Sequence, residues 1–441
     1  MSYNIDWEAA GQEAVEILQR LIQFDTTNPP GNERPAADYI QHLLSQDGID
    51  SEILESAPGR ANLIARLNGD GSAGPLLLLG HTDVVYADPD EWTYPPFGGE
   101  IHDGYIWGRG ALDMKDLVTL ELVTFLLVKR HNIPLKRDLI FLAVADEENM
   151  GHFGARWMLE HHRDKIDAEY VINEGGRGVR LNGREFYLVS TAEKGYGDLR
   201  LTARGSAGHS AMPHGENPVV KISRALAALD DYQPPYRLTR SVQEMFERAR
   251  DVFPVPAELD ATNLRDALIP LFDVLPDEVG RMVQFAVRDV FSPTMVNAGI
   301  KENVIPNQAT ANVNTRTLPG VPLEDLLATA RSVIGSDIEI DVKEFHPGTE
   351  SPSSTPLFEA IEAVMSEAAP GCVVSPYLLP ATTDSRFFRN HGIQSYGFDP
   401  VVTPLDLART IHGRNERISV ESIHLGIERL FQVVTRVCAH G

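Results

Sequence analysis

Cysteine is nearly absent from this chain of 441 residues: only Cys372 and Cys438 occur. Two thiols without the spacing of a zinc-binding pair exclude a disulfide-stapled scaffold and a thiolate metal centre. A metal site here has to be built from nitrogen and oxygen. Positive charge is also short. The 39 Lys and Arg are outnumbered by 63 Asp and Glu, a formal charge of −24 that argues against nucleic acid or an anionic membrane as partner. Acidity on this scale usually serves solubility and does not indicate a cationic substrate. Long apolar runs are missing as well, since Leu117 to Val128 is too short to span a bilayer. The opening residues, Met1 to Trp7, show neither the basic start nor the apolar core of a secretory leader, and a reduced, cytoplasmic setting is the expectation. No internal repeat or low-complexity tract occurs. What the chain does have is 43% hydrophobic residues, enough at this length for a large core in two domains.

Apolar periodicity predicts an amphipathic helix over residues 7–23, through Ala10, Ala14, Ile17, Leu18, Leu21 and Ile22. Thr26-Thr27-Asn28-Pro29-Pro30-Gly31 breaks it, and a second helix follows over 34–46. Strands and helices then alternate: strands 51–55, 62–67 and 76–79, helix 115–130, strand 139–145, helix 154–161, strand 170–172. This alternation is an α/β signature. After Glu193 the pattern changes to strands over 196–204 and 308–316 and a helix over 218–229. Between the helix and the second strand, residues 230–293 are rich in Pro, Asp and Arg, with helices predicted at 241–252 and 276–290. From Leu318 the α/β pattern resumes, with helices 323–334, 356–368 and 420–438 and strands 337–342 and 393–396.

Acidic residues and histidines fall at the ends of the apolar runs. His81 opens His81-Thr82-Asp83 after Leu76-Leu77-Leu78-Leu79-Gly80. Asp113 closes Gly108-Arg109-Gly110-Ala111-Leu112-Asp113. Glu147 and Glu148 follow Leu139–Ala145, Glu174 follows Tyr170-Val171-Ile172-Asn173, and His412 stands in Ile411-His412-Gly413-Arg414-Asn415-Glu416. An α/β protein gathers its chemistry at the carboxyl ends of its strands. Two imidazoles and three carboxylates suit zinc, with manganese or cobalt able to substitute, and one carboxylate can bridge two ions ~3.5–4 Å apart. Glu147, beside the ligands, would take a proton from a water held between the ions. Adjacent Glu147 and Glu148 can divide the work because neighbouring side chains at a strand end point in different directions.

These motifs resemble the M20 family of metallopeptidases, which includes glutamate carboxypeptidase, aminoacylase, acetylornithine deacetylase and succinyl-diaminopimelate desuccinylase. The resemblance runs from about Ile17 to Val434. It implies a zinc-peptidase-like α/β catalytic domain with a mixed sheet flanked by helices, formed by residues 1–193 and 317–441. It also implies an inserted α+β lid or dimerisation domain, 194–316, here carrying a helical insertion at about 230–293. Read through it, Asp113 is the bridging carboxylate, with a cis peptide after it. His81 and Glu174 hold one metal, Glu148 and His412 the other, and Glu147 is general base and acid. Asp83 orients His81 through its second ring nitrogen. His209, in Gly208-His209-Ser210, would stabilise the oxyanion, often across a dimer. Asn303 and Arg316 would bind substrate, Arg316 by forking a carboxylate, with Arg386 a second candidate for that grip.

The plainer readings stand beside these. An isolated histidine such as His152 or His391 is structural far more often than catalytic, and Asp146 reads as structural. Glu147-Glu148 alone would be a solvated turn, and Glu174 a helix-start acid; only the joint context favours metal. The reaction implied is hydrolysis of an amide next to a free carboxylate, releasing an amino acid from a dipeptide or an N-acyl amino acid. Deacylation of the acetylornithine or succinyl-diaminopimelate kind is the alternative. A mononuclear hydrolase, or a binding protein that has lost catalysis, remains open, although a binding protein needs no base beside its ligands. The expected partners are that small substrate and a second copy of the chain through the lid.

Overall fold

The apolar runs that end in acids and histidines lie side by side in one mixed sheet. In a computed structural model, which describes residues 3–440 except 257 and 260–262, the chain divides into two compact units. The first comprises residues 1–191, 351–377 and 383–441. Its sheet runs in the order Ser51–Ala57, Arg60–Leu67, Leu139–Val144, Leu76–His81, Tyr170–Asn173, Gln394–Gly397, Arg184–Glu193. The four strands at its centre are parallel, with Leu76 opposite both Leu139 and Tyr170, and Gln394 opposite Tyr170. Strands buried on both faces read as unbroken apolar runs, as Leu76–Leu79 and Leu139–Ala145 do.

Helices cover both faces. Trp7–Ile22, Lys115–Arg130, Pro356–Ala368 and Val420–Cys438 pack into one large apolar cluster with one side of the sheet. Ala155–His161 and Ser385–Asn390 supply a second cluster on the other side, around Met158, Phe387 and Phe388. Lys115–Arg130 is buried from Lys115 to Val128, which accounts for its nearly continuous apolar sequence. No helix among the described residues is long and apolar enough to cross a membrane.

Several strands of the first unit are absent from the expected pattern, three of them close to the site. Glu100–His102 and Tyr105–Trp107 form a hairpin, and Arg417–Ser419 adds to it with Arg417 opposite Trp107. Strands of three residues carry too little periodicity to be read from sequence. This pairing brings the loop after Trp107, which carries Asp113, beside the loop before Arg417, which carries His412.

The second unit comprises residues 192–350 and 378–382. It holds an antiparallel sheet in the order Val290–Ala298, Gln308–Thr317, Gly195–Arg204, Ile338–His346. Pro218–Asp231 and Leu323–Ile334 pack on it through Ile222, Ala225, Leu229 and Ala330. By its contacts this unit runs on to Glu350, past the boundary expected at 316/317. Ile338–His346 alternates exposed and sheltered residues as an α/β edge strand might, yet it pairs along Gly195–Arg204 and carries the preceding helix with it. The insertion contains helices Arg240–Ala249, Leu264–Phe272 and Asp277–Ala286, and residues 257 and 260–262 of it lie outside the described residues. It ends before 293, because Val290–Ala298 is the sheet's edge strand.

Candidate metal centre

Parallel strands point their carboxyl ends the same way, so the groups that follow them converge. His81 ends its strand, Glu147 and Glu148 form a single 3-10 turn after Val144, and Glu174 follows Asn173. The hairpin adds Asp113 and His412. Around Asp113 the ligand atoms form two triads. His81 Nε2 lies 3.2 Å from Asp113 Oδ1 and 3.6 Å from Glu174 Oε1. His412 Nε2 lies 3.1 Å from Asp113 Oδ2 and 3.0 Å from Glu148 Oε2. Each oxygen of Asp113 thus serves one triad. A tetrahedral ion with bonds of about 2.0–2.1 Å separates its ligand atoms by about 3.3 Å, so both triads have the size of a metal site. The Asp113–Met114 peptide is cis, as the resemblance implies.

Charge tells the same story. Four carboxylates crowd two imidazoles. Burial and the nearby charge of Asp113 push Glu174 well above the usual carboxylate range, and the same two causes raise Glu148. Asp113 goes the other way: burial would raise it, but hydrogen bonds with His412 and His81 hold it below that range. Asp113 and Glu148 push His412 up to about 10. Protons on these imidazoles stand where cations are needed, and a metal would take their place as neutral nitrogen becomes the ligand. One oxygen of Glu148, Oε1, is buried without a hydrogen-bond partner, as a spare ligand atom would be. His412 is 53% exposed and leaves its triad open on one side, whereas His81 is only 1% exposed.

The positions of these groups are fixed by partners the sequence did not single out. Asp83 does more than expected. The shorter contact of His81 Nδ1 is with the Asp83 carbonyl, at 3.0 Å, and the carboxylate stands 3.5 Å away. That carboxylate accepts from the backbone N–H of Glu147 (3.1 Å) and Glu148 (3.2 Å) and from the Asn28 side chain (2.8 Å). Asp146, at φ +71, is structural as expected, but in a specific way. It accepts from Asn28, Arg60 and the Phe153 N–H, and so closes the turn that carries Glu147 and Glu148. Arg60 in turn forks Glu33 with bonds of 2.9 and 2.8 Å. Asp384 is fully buried near Glu147 and Glu174, and burial lifts it to about 7. An Arg or Asp outside the ligand motifs gives no signal in sequence beyond its type.

Of the expected substrate-facing residues, Arg386 does something else. It is 2% exposed, donates to the carbonyls of Thr383 (2.8 Å) and Met150 (3.2 Å), and ties the Glu147–Met150 turn to its own helix. His209, Asn303 and Arg316 belong to the second unit. His209 pairs with Val304 in a two-residue ladder, and Ser210 N–H donates to the Asn303 carbonyl, so these two are neighbours. Arg316 lies over the Tyr196 ring, 5.0 Å from its centroid, at the far end of the strand Gln308–Thr317. Eight residues of extended strand cover about 27 Å.

With this geometry in view, the chain can be compared with known proteins. Residues 77–436 match the model of peptidase family M20/M25/M40. The chain belongs to that family. The N-fatty-acyl-amino acid synthase/hydrolase of Xenopus tropicalis is 32% identical over 97% of this chain and 86% of its own length. A probable succinyl-diaminopimelate desuccinylase of Staphylococcus epidermidis is 29% identical over 85% of this chain and 86% of its own. Among solved structures, an M20 family metallo-carboxypeptidase of Sulfolobus solfataricus superposes with a TM-score of 0.73 at 19% identity, covering 96% of this chain and 99% of that one. The fold is that of the M20 peptidases, and the chain is a member of a family of metal-dependent hydrolases with residues able to hold metal at two adjoining positions.

Proposed function

We propose that the chain is a two-metal amide hydrolase that releases an amino acid with a free carboxylate from an N-acyl amino acid. The observation that carries this reading is the division of Asp113 between two triads, with Glu147 beside them and no hydrogen bond to its carboxyl among the described residues. His81, Asp113 and Glu174 would hold one divalent ion and Asp113, Glu148 and His412 a second, zinc by the chemistry of the donor set with manganese or cobalt as substitutes, and when bound they would supply Lewis acidity to the scissile carbonyl and lower the pKa of the attacking water.

The chain's own groups do the rest. Glu147 accepts a proton from the attacking water and returns it to the nitrogen as the C–N bond breaks, leaving a carboxylic acid and an amine. Burial and the charge of Glu174 hold its carboxyl above the ordinary carboxylate range, the direction that suits a group which must give its proton back to the leaving amine. Asp83 fixes the Glu147 backbone and so aims that carboxyl. His209 donates to the developing oxyanion, Arg316 grips the substrate carboxylate and Asn303 assists in binding.

The identity to the N-fatty-acyl-amino acid hydrolase over nearly the whole chain favours an acyl group over a second amino acid on the far side of the scissile bond. Glutamate at position 174, which the resemblance associates with carboxypeptidases and acylases, supports the same side. The desuccinylase relative makes a succinyl group the second reading. The exposed edge strand Val290–Ala298, with Met295 57% and Val296 58% exposed, supports a homodimer through the second unit.

The test is hydrolysis of long-chain N-acyl, N-acetyl and N-succinyl amino acids and dipeptides by metal-loaded protein, with Glu147→Gln as the blank. Amino acid released from the long-chain substrates and absent from the blank is expected. Release from N-succinyl substrates alone moves the assignment to the second reading. No release from any carboxylate-bearing substrate by protein holding two metals overturns both.

A further inference from the structure

We propose that the buried pair Arg109–Glu416 is a positioning device that sets the strength of the Asp113/Glu148/His412 metal position relative to the His81/Asp113/Glu174 position. This rests on the reading that both triads hold metal. The pair lies more than 300 residues apart in sequence and joins the two loops that meet at Asp113. Glu416 is 0% exposed and Arg109 2%. Glu416 Oε1 accepts from the backbone N–H of Leu112 at 2.7 Å and of Asp113 itself at 3.2 Å. Its other oxygen accepts from Arg109 Nη1. Arg109 Nη2 donates 2.7 Å to the carbonyl of Gly413, the residue after His412. One carboxylate therefore holds the Asp113 backbone, and the guanidinium it binds holds the His412 backbone.

The two metal positions differ in how much they depend on this link. His81 ends a central strand, packed in the sheet on both sides, and its ring is held by Asp83. Glu174 directly follows such a strand. The Asp113 loop has further tethers of its own, from Arg177 to the Leu112 carbonyl at 2.7 Å and from Lys115 Nζ to the carbonyls of Leu21 (3.0 Å) and Phe24 (2.9 Å). His412 is not held by a sheet strand. It sits at φ +59 in a short irregular loop, 53% exposed. Across to the rest of the unit, among the described residues, that loop is held by Arg109, by the Gly108 N–H donating to the Glu416 carbonyl at 3.0 Å, and by the bond from Thr93 N–H to the Asn415 side chain at 2.8 Å, and of these only Arg109 reaches the residue next to His412. Loosening the pair frees His412 while Asp113 stays within reach of His81.

The experiment withdraws metal from zinc-loaded protein with chelators of graded strength and counts the zinc retained per chain. His412→Ala and His81→Ala mark the loss of each position. Wild type is expected to release two ions in separate steps. Glu416→Gln is expected to weaken one step about 10–100-fold, the size of effect seen for groups that orient metal ligands. The step affected should be the one His412→Ala abolishes, with the other unchanged. The double variant Arg109→Met/Glu416→Met replaces the pair without leaving a buried charge alone, and should show the same selective loss if Glu416→Gln fails to fold. Equal weakening of both steps, or of neither, in a folded variant overturns the proposal. Wild type that never binds a second zinc overturns it together with the two-metal reading, so the two failures are distinguishable.

Discussion

Glu147, Asp83 and Asp146 occupy adjoining places in one polar network, yet each residue does a separate task. In the proposed reaction Glu147 transfers the proton; Asp83 pins the Glu147 and Glu148 amides, and Asp146 closes the turn behind them. Arg60 forms ion pairs with both Asp146 and Glu33, all three being buried. Removing one partner of a buried ion pair leaves charge uncompensated, which costs more than the pair contributes. Arg60→Met is therefore expected to lower stability by about 3–5 kcal/mol, measured by urea unfolding of the metal-free protein. A change under 1 kcal/mol would mean that Glu33 and Asp146 find water. A different buried acid, Glu121, lies on the apolar helix Lys115–Arg130. Burial holds its carboxyl well above the usual carboxylate range, the Leu79 backbone offsets part of this, and Asp399 adds to it. Between its unfolded and folded values the folded chain keeps a proton that the unfolded chain has lost. Stability must then fall as pH rises through that window. Glu121→Gln has no such proton to lose, so its melting temperature should gain on wild type as pH rises above the ordinary carboxylate range. A pH-independent difference in thermal melts would show that the carboxyl is ionised in the fold. Four of the five candidate ligands were legible in sequence because each follows an apolar run or a glycine-rich turn, whereas His412 rested on the resemblance. Arg60, Glu33 and Asn28 were not, because nothing local distinguishes a network residue from a surface one.

The elements that build the site were also the easiest to read. Helices 115–130, 323–334, 356–368 and 420–438 fall where periodicity places them, and the central strands differ from expectation by a residue or two. Long apolar runs bounded by turn residues leave few alternatives. The hairpin carrying the Asp113 and His412 loops was missed because its strands have three residues each, and what defines them is pairing across the sequence. Close packing between strand ends gives a further expected outcome. Gly397 lies opposite Asn173, and a Cβ on it would stand 2.2 Å from the Glu174 carbonyl oxygen and 2.8 Å from Ser190 Cβ. Backbone oxygen cannot step aside as a flexible side chain can, so Gly397→Ala must shift the segment that carries Glu174. Misplacement of a reacting group by about 1 Å can cost 10²-fold in rate. Gly397→Ala is expected to lose activity by at least tenfold while the zinc held by the His412 triad is retained. Metal counting and turnover on the same preparation check it, and full activity would mean that the strand end adapts.

At the scale of the whole molecule, the arrangement of the second unit argues for assembly. The boundary at Glu350 could not be read from sequence, because the strand 338–346 looks like a continuation of the α/β pattern until its pairing with Gly195–Arg204 is known. That pairing makes one sheet in which Arg316 lies beside Tyr196, only a few residues from the start of the unit at Ala192. His209 and Asn303 lie beyond the other end, before Gln308, about 27 Å away along the strand. One small substrate cannot span two groups so placed on a rigid sheet. In the proposed reaction, Arg316 and His209 acting on the same molecule therefore come from different chains, and each site is complete only in a dimer. Variants of the two chains should then repair each other. Glu147→Gln chains lack the base but carry His209; His209→Ala chains lack the oxyanion donor but carry Glu147. Each variant alone should have little activity. When the two are refolded or co-expressed together in equal amounts, half of the dimers are mixed, and each mixed dimer has one complete site of two. Activity should rise to about one quarter of wild type. If the mixture shows only the average of the two parents while sedimentation confirms mixed dimers, His209 acts within its own chain and the strand must bend far more than its pairing suggests.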